Sequence, residues 1–251
     1  MTTSRDYDPV GMGRRSQVDE TLYAGADPRD LANYTVTESA RWLGLVPATL
    51  RTWLAGQRYP TRAGVKFAMP VIKPAGKDPL ALSFWNLVEC SVLASIRKTH
   101  DVSFQKVRRA LLFVRKQLGT ERPLIEEQFA TDGIHLFVER YGTLIAASQH
   151  GQLVLRDLLE ASLTRIDRDP GGLAARLYPW THEPTEPKVV AVDPRVSFGR
   201  PTLASTGIPV ETIMERFRAG DAIELLARDY RVSASRVEGV VRWAAGGSAA
   251  A

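Results

Sequence analysis

Cysteine is almost missing from this chain: Cys90 is the only one in 251 residues, so no internal disulfide can form, and its apolar neighbours point to a buried thiol. Long apolar runs are missing too. No stretch approaches the ~18 residues a membrane span needs, and the segment after Met1 has no continuous apolar core to act as a secretion signal, so a cytoplasmic protein without membrane contact is expected. The spacings of metal and nucleophilic chemistry are also lacking. There is no acid cluster, phosphate loop or nucleophile beside a base, and His135 and His150 have no further ligands at suitable spacing. The expectation is no catalytic residue, no metal and no cofactor, with carboxylates dispersed along helices as solvated surface. Acids paired only by folding stay open at this stage.

What is present is a chain 44% hydrophobic, enough for one large or two to three small cores. Its most informative stretch is Tyr34 to Leu54, which fits two short helices joined by a tight turn. Thr35 with Glu38 three residues on is a capping box. Ala40 and Leu43 repeat at helical spacing until Gly44 offers a residue able to take positive φ. Pro47 suits the first turn of a second helix, where its absent amide costs nothing. Leu50, Trp53 and Leu54 then share the inner face, and Ala48, Thr49, Arg51 and Thr52 point outward. This is a helix-turn-helix with a readable face. Gln57 to Lys77, rich in Gly and Pro and holding Val65, Phe67, Met69, Val71 and Ile72, suits a short hairpin wing. Thr37, Ala48, Thr49, Arg51, Thr52, Arg58, Arg62 and Lys66 are the candidate DNA contacts, with Arg51 foremost.

Charge supports this reading. Residues 34–120 hold fourteen basic side chains against four acidic ones, a net of +10 inside a chain of +5. Such a field attracts a polyanion and releases its counterions. For the second half of the region, residues 79–120, an ordinary solvated basic face is an equal alternative.

The rest divides by composition. Residues 1–33 read as a flexible leader, 34–78 as the head, and 79–120 as a helical pair. In that pair Phe84 to Ile96 is apolar nearly all round, and Ser103 caps a second helix with Phe104, Val107, Leu111, Val114 and Leu118 as one stripe. The pair extends the head or dimerises two chains. Residues 121–181 form a small α+β unit: a hairpin from Ile134 to Glu139 and Thr143 to Ala147, a helix from Leu153 to Ile166, and a strand from Leu173 to Tyr178. Residues 182–188, HEPTEPK, read as a linker. The domain at 189–245 opens with a turn-rich arm marked by Asp193, Pro194, Gly199, Pro201 and Gly207. Three helices follow, Val210 to Arg218, Ala222 to Asp229 and Ala234 to Ala244, the last capped by Ser233. The last two make a second helix-turn-helix, with Ser235, Arg236 and Arg242 as secondary candidates for DNA contact. This domain carries eight arginines against seven acids, a field better suited to protein than to DNA. A short flexible tail, 246–251, follows. The fold class expected is mainly α with a small α+β middle unit, a winged helix-turn-helix head and a C-terminal three-helix domain.

From Tyr34 to about Pro60 the chain resembles the DNA-binding head of the MerR superfamily, shared with excisionases. The string from Val192 to Asp229, with DP, FGRP, TGIPV and RAGD before ELLARDY, looks like the small bacterial domain of unknown function number 433; it departs at Gly207, where that family usually places arginine. The combination resembles the long VapB-type antitoxins of actinobacteria. What the resemblance implies is neutralisation of a PIN-like ribonuclease toxin and repression of the chain's own operon through double-stranded operator DNA. From the residues alone three readings stay open: an antitoxin and autorepressor acting as a homodimer, a MerR-like regulator with a ligand-sensing middle unit and no toxin, and, least favoured, an enzyme.

Overall fold

The computed structural model describes residues 23, 25–62, 64–99, 104–145, 149–180 and 183–246, with side chains omitted at 97–99, 104, 145 and 149–151. It is mostly helical with four small sheets. In the head, β1 (Tyr34–Thr35) leads into α1 (Val36–Trp42), α2 (Pro47–Ala55) and a hairpin of β2 (Gln57–Thr61) and β3 (Gly64–Ala68). The chain then returns through β4 (Gly76–Lys77) and β5 (Leu80–Leu82), and β5 pairs with β1 to close the head on itself. Val71 and Ile72, expected on the wing, instead plug the core beneath α2, and both donate backbone N–H groups to the Trp53 carbonyl at 2.9 and 3.2 Å. The terminal carbonyls of α2, which lack intrahelical partners, are thereby partly satisfied.

Next come α3 (Phe84–Thr99), α4 (Phe104–Leu118), α5 (Ile134–Ile145) and α6 (Gln149–Leu163), with α4 packed on α5, α5 on α6 and α6 on α3. The apolar run from Phe84 to Ile96 is explained here. Phe84, Leu87, Val88, Cys90, Val92 and Ile96 are all buried within the single chain, so α3 is an internal helix rather than a dimer face. The Cys90 thiol is buried as the sequence implied, and burial pushes its pKa up. Ser103, read as a cap, lies outside the described residues.

The hairpin expected around Tyr141 and Gly142 is a helix. Ile134, Phe137, Val138 and Tyr141 fall at i, i+3, i+4 and i+7 and are buried together, with the Phe137 and Tyr141 rings stacked at 5.7 Å. Helical period overrode the β-branched and glycine signals. His135 sits exposed on this helix, its Nδ1 3.0 Å from an Arg156 amino group, and no metal-binding cluster exists among the described residues. The middle sheet pairs β6 (Ile166–Arg168) with β7 (Ala174–Leu177), the latter within the strand expected at Leu173 to Tyr178.

In the tail, β8 (Val190–Ala191) pairs with β9 (Thr202–Leu203), followed by α7 (Val210–Arg218), α8 (Ile223–Tyr230) and α9 (Ala234–Gly246) around Ile213, Leu226, Val237 and Val240. Arg216 staples α7 to α8, paired with Asp221 and Asp229 at 2.7 Å each. Gly207, where the resembling family has arginine, adopts φ +74, a conformation in which any L side chain is strained.

The segments do not hang apart. One continuous apolar core runs from Tyr34 to Trp243. Leu177 and Val192 exchange backbone hydrogen bonds at 2.9 and 2.8 Å, which ties the middle sheet to the tail. The linker is held: the Arg165 guanidinium donates to the carbonyls of Tyr178, Pro184 and Glu186, and Lys188 lies over the Tyr178 ring. The end of the leader is held as well. Arg29 is buried between Asp27 and Asp169, at 2.7 and 2.6 Å, and lies over Trp85.

Candidate nucleic-acid interface

The helix-turn-helix is built as its sequence dictates. Thr35 Oγ1 accepts from the Glu38 amide at 3.2 Å, while Glu38 Oε2 accepts from the Thr35 amide at 3.2 Å, completing the capping box. Gly44 turns the chain at φ +63, and Pro47 opens α2. Leu50, Trp53 and Leu54 are buried, so the rest of α2 faces outward. On that side Ala48 and Arg51 are exposed and Thr49 and Thr52 half-buried; Thr37 on α1 is exposed. Thr52 donates its hydroxyl to the Ala48 carbonyl at 3.0 Å, leaving it to offer acceptor oxygen rather than a donor. Arg51 makes no ion pair among the described residues. Its fork is available to a phosphate or a guanine edge.

The hairpin after α2 carries the other candidates. Its register pairs Arg58 with Phe67 and Tyr59 with Lys66. Side chains alternate along a strand, so Arg58 and Lys66, grouped together by the sequence, lie on opposite faces. Arg58 shares its face with Pro60, Val65 and Phe67, while Lys66 shares the other with Tyr59. Val65 and Phe67 are 72% and 51% exposed, large apolar groups held out in solvent at the hairpin. Arg62 is exposed at the turn. Gly56, between α2 and the hairpin, has no room for a side chain, since an added Cβ would meet the Phe67 ring at 2.6 Å.

Not every basic residue of residues 34–120 is offered to a partner. On α4, Arg108 donates to the Pro70 carbonyl at 3.2 Å and Arg115 to that of Val71 at 3.4 Å, bracing the loop beyond the hairpin. Asn86 on α3 fixes the next part of that loop: its oxygen accepts from the Ala75 and Ser83 amides and its nitrogen donates to the Lys73 carbonyl and the Glu89 carboxyl. Glu89 is buried, and desolvation raises its carboxyl pKa despite the Arg122 charge and the Asn86 hydrogen bond. The hold of Arg108, Arg115 and Asn86 on this loop is not visible in spacing, because those contacts join residues 11 to 44 positions apart. In the tail, Ser235 and Arg242 are exposed, but Arg236 donates inward to the Ala204 carbonyl. Ser235 is engaged as well, its hydroxyl 3.0 Å from that of Ser233.

Residues 32–111 match the family described as "Putative DNA-binding HTH domain", so the matched unit runs past the hairpin and α3 into α4. Residues 190–244 match the family described as "Protein of unknown function (DUF433)". A curated relative from Mycobacterium tuberculosis, described as "Putative antitoxin VapB45", is 28% identical over 221 residues, covering 81% of this chain and 90% of its own length. The chain resembles a long VapB-type antitoxin. It carries a helix-turn-helix head and a tail of the unknown-function family. The crystal structure of Rv2018 from Mycobacterium tuberculosis shares the fold, with a TM-score of 0.62 at 21% identity over 84% of this chain and 98% of that one. No helix among the described residues is long and apolar enough to cross a membrane.

Proposed function

We propose that this protein is the antitoxin of a type II toxin-antitoxin system, binding operator DNA through its head to repress its own operon and neutralising a PIN-like ribonuclease toxin. One observation carries the reading: a basic helix-turn-helix with an outward arginine shares a chain with the unknown-function tail, and a relative similar over 81% of this chain is described as an antitoxin. In this reading α2 enters the major groove with Arg51 and Thr49 at base edges or phosphates, and the hairpin follows the backbone with Arg58, Arg62 and Lys66. Two copies read an inverted repeat, the symmetry usual for helix-turn-helix repressors. With α3 consumed inside the monomer, the contact between copies uses another face.

The test is co-expression with the product of the adjacent gene, together with gel shift on DNA upstream of the chain's own gene. Restored growth, halted RNA cleavage and a shifted band of two copies per site are expected. A toxin that still cleaves RNA at molar excess of this chain would remove the neutralisation claim; absence of any shift at low salt would remove the repressor claim.

A further inference from the structure

A cavity of ≈ 400 Å³ opens where the head meets the tail, within the range of about 300 to 1,000 Å³ typical of small-ligand sites. Both sides supply its walls: Arg41 and Trp42 from the end of α1, Phe198 and Arg200 from the turn before β9, and Arg218 and Trp243 from α7 and α9. Charge there favours an anion. None of the three arginines pairs with a carboxylate among the described residues. Of the two glutamates that line the cavity, Glu38 is engaged at the α1 cap and Glu211 sits in the first turn of α7, where the helix dipole holds it.

Two further observations point to a ligand. Trp243 is 8% exposed, yet its buried indole N–H has no acceptor among the described residues; indole is a donor only, so it calls for an oxygen or other acceptor. Ser197 and Phe198 both take positive φ, 49° and 56°, which non-glycine residues rarely adopt, and this presents the Phe198 ring 69% exposed at the cavity. Unused aromatic surface thus sits beside three guanidinium groups.

We propose that this cavity binds a small aromatic anion, a planar ring bearing a carboxylate or phosphate group, and that the ligand clamps the head against the tail. The arginines take the anionic group in charge-assisted hydrogen bonds, and the Trp42, Trp243 and Phe198 rings take the planar body. Because its walls belong to both ends of the chain, a ligand there favours the packed arrangement and links the DNA-binding head energetically to the tail. The proposal stands apart from the identity of any toxin.

Calorimetric titration of the full chain with benzoate, adenosine monophosphate and inorganic phosphate tests it. One saturable site is expected for at least one aromatic probe, with inorganic phosphate at least about tenfold weaker; which aromatic probe binds tighter identifies the acid group. Arg41→Ala and Arg218→Ala should each weaken binding about tenfold or more, and Trp243→Phe, which keeps a ring but removes the N–H, several-fold. Arg228→Ala, outside the cavity, should bind as the parent does. If an alanine variant fails to fold, Arg218→Lys, which keeps charge without the planar fork, takes its place with a loss of the same direction. No saturable binding of either aromatic probe at millimolar concentration, phosphate binding as tight as theirs, or undiminished affinity in the arginine variants would overturn the proposal.

Discussion

Arg51 and Glu89 illustrate the two ends of single-residue effects in this protein, one exposed and awaiting a partner, the other a carboxyl buried in the core. Arg51→Ala should leave the fold intact, since the side chain is exposed, and should weaken specific operator binding by about 1 to 3 kcal/mol if the guanidinium reads a base edge. Footprinting and titration on the operator decide it, and an unchanged affinity would displace Arg51 from the contact set. Glu89 works through the fold. Burial raises its carboxyl above the unfolded value, so the protonated form is the one the structure favours. The stability linked to it is fully present below the ordinary carboxylate pKa of about 4.3 and is lost as pH rises through the raised folded value. Glu89→Gln should therefore raise the melting temperature at pH 7, and the gain should shrink as the solution is acidified below pH 4. A uniform shift at both pH values would contradict that linkage. Legibility at this scale was uneven. The Thr35 and Glu38 box and the inward Leu50, Trp53 and Leu54 could be read from spacing because each obeys a local rule. Arg29, Arg108, Arg115 and Asn86 could not, because each also reaches a partner between 11 and 145 residues away.

Among the elements, the hairpin of β2 and β3 carries the sharpest expectation. Its opposite faces hold different chemistry, so removing charge from each should give different results. If the hairpin lies flat on the backbone with one face down, only one of Arg58→Ala and Lys66→Ala will reduce the salt dependence of DNA binding, by a slope of about 1. If it enters a groove edge-on, both will. We expect the edge-on outcome, because Val65 and Phe67 are held out in solvent on the Arg58 face while Tyr59 stands on the Lys66 face. Affinity measured from 50 to 200 mM salt for both variants separates the cases, and a single altered slope would reject the edge-on arrangement. Elements also show where sequence pattern misled. Residues 134–145 alternate enough to mimic a hairpin around Gly142, yet four apolar positions at helical spacing find α4 and α6 to bury against, and burial decides between two locally plausible forms. Val71 and Ile72 were misplaced for a related reason. An apolar pair after a hairpin reads as more strand until the space beneath α2 is seen to need filling.

For the whole molecule, the core shared by head, middle and tail changes what separation should do. Cutting between residues 183 and 188 breaks a segment whose carbonyls are held by Arg165, while the Leu177 and Val192 bonds and the Arg176 to Asp193 pair at 3.1 Å remain on either side. A chain nicked there should stay associated and elute as one species in size exclusion. Expressed separately, the residues 1–180 piece should lose stability because the tail no longer covers Tyr34. Two pieces that part on nicking, each melting at the temperature of the parent, would show the ends to be independent. The helix-turn-helix head and the unknown-function tail were legible from the sequence; their fusion into one core was not, since no local pattern records which buried faces meet.

That fusion is tightest at Gly199. Its backbone takes φ +77, and a methyl group placed there would overlap the Tyr34 hydroxyl across the seam between tail and head. The consequence is genetic: position 199 tolerates no side chain, and its tolerance is set both by its own backbone conformation and by a residue 165 positions earlier. In a library of all single substitutions, every replacement of Gly199 should reduce the folded fraction, and second-site revertants of Gly199→Ala should gather at Tyr34. Tyr34→Phe, which withdraws the colliding oxygen, should recover part of the lost melting temperature. Suppressors scattered evenly over the chain would mean that the two residues are not inherited as a pair, and that heads and tails can be exchanged between relatives without regard to this contact.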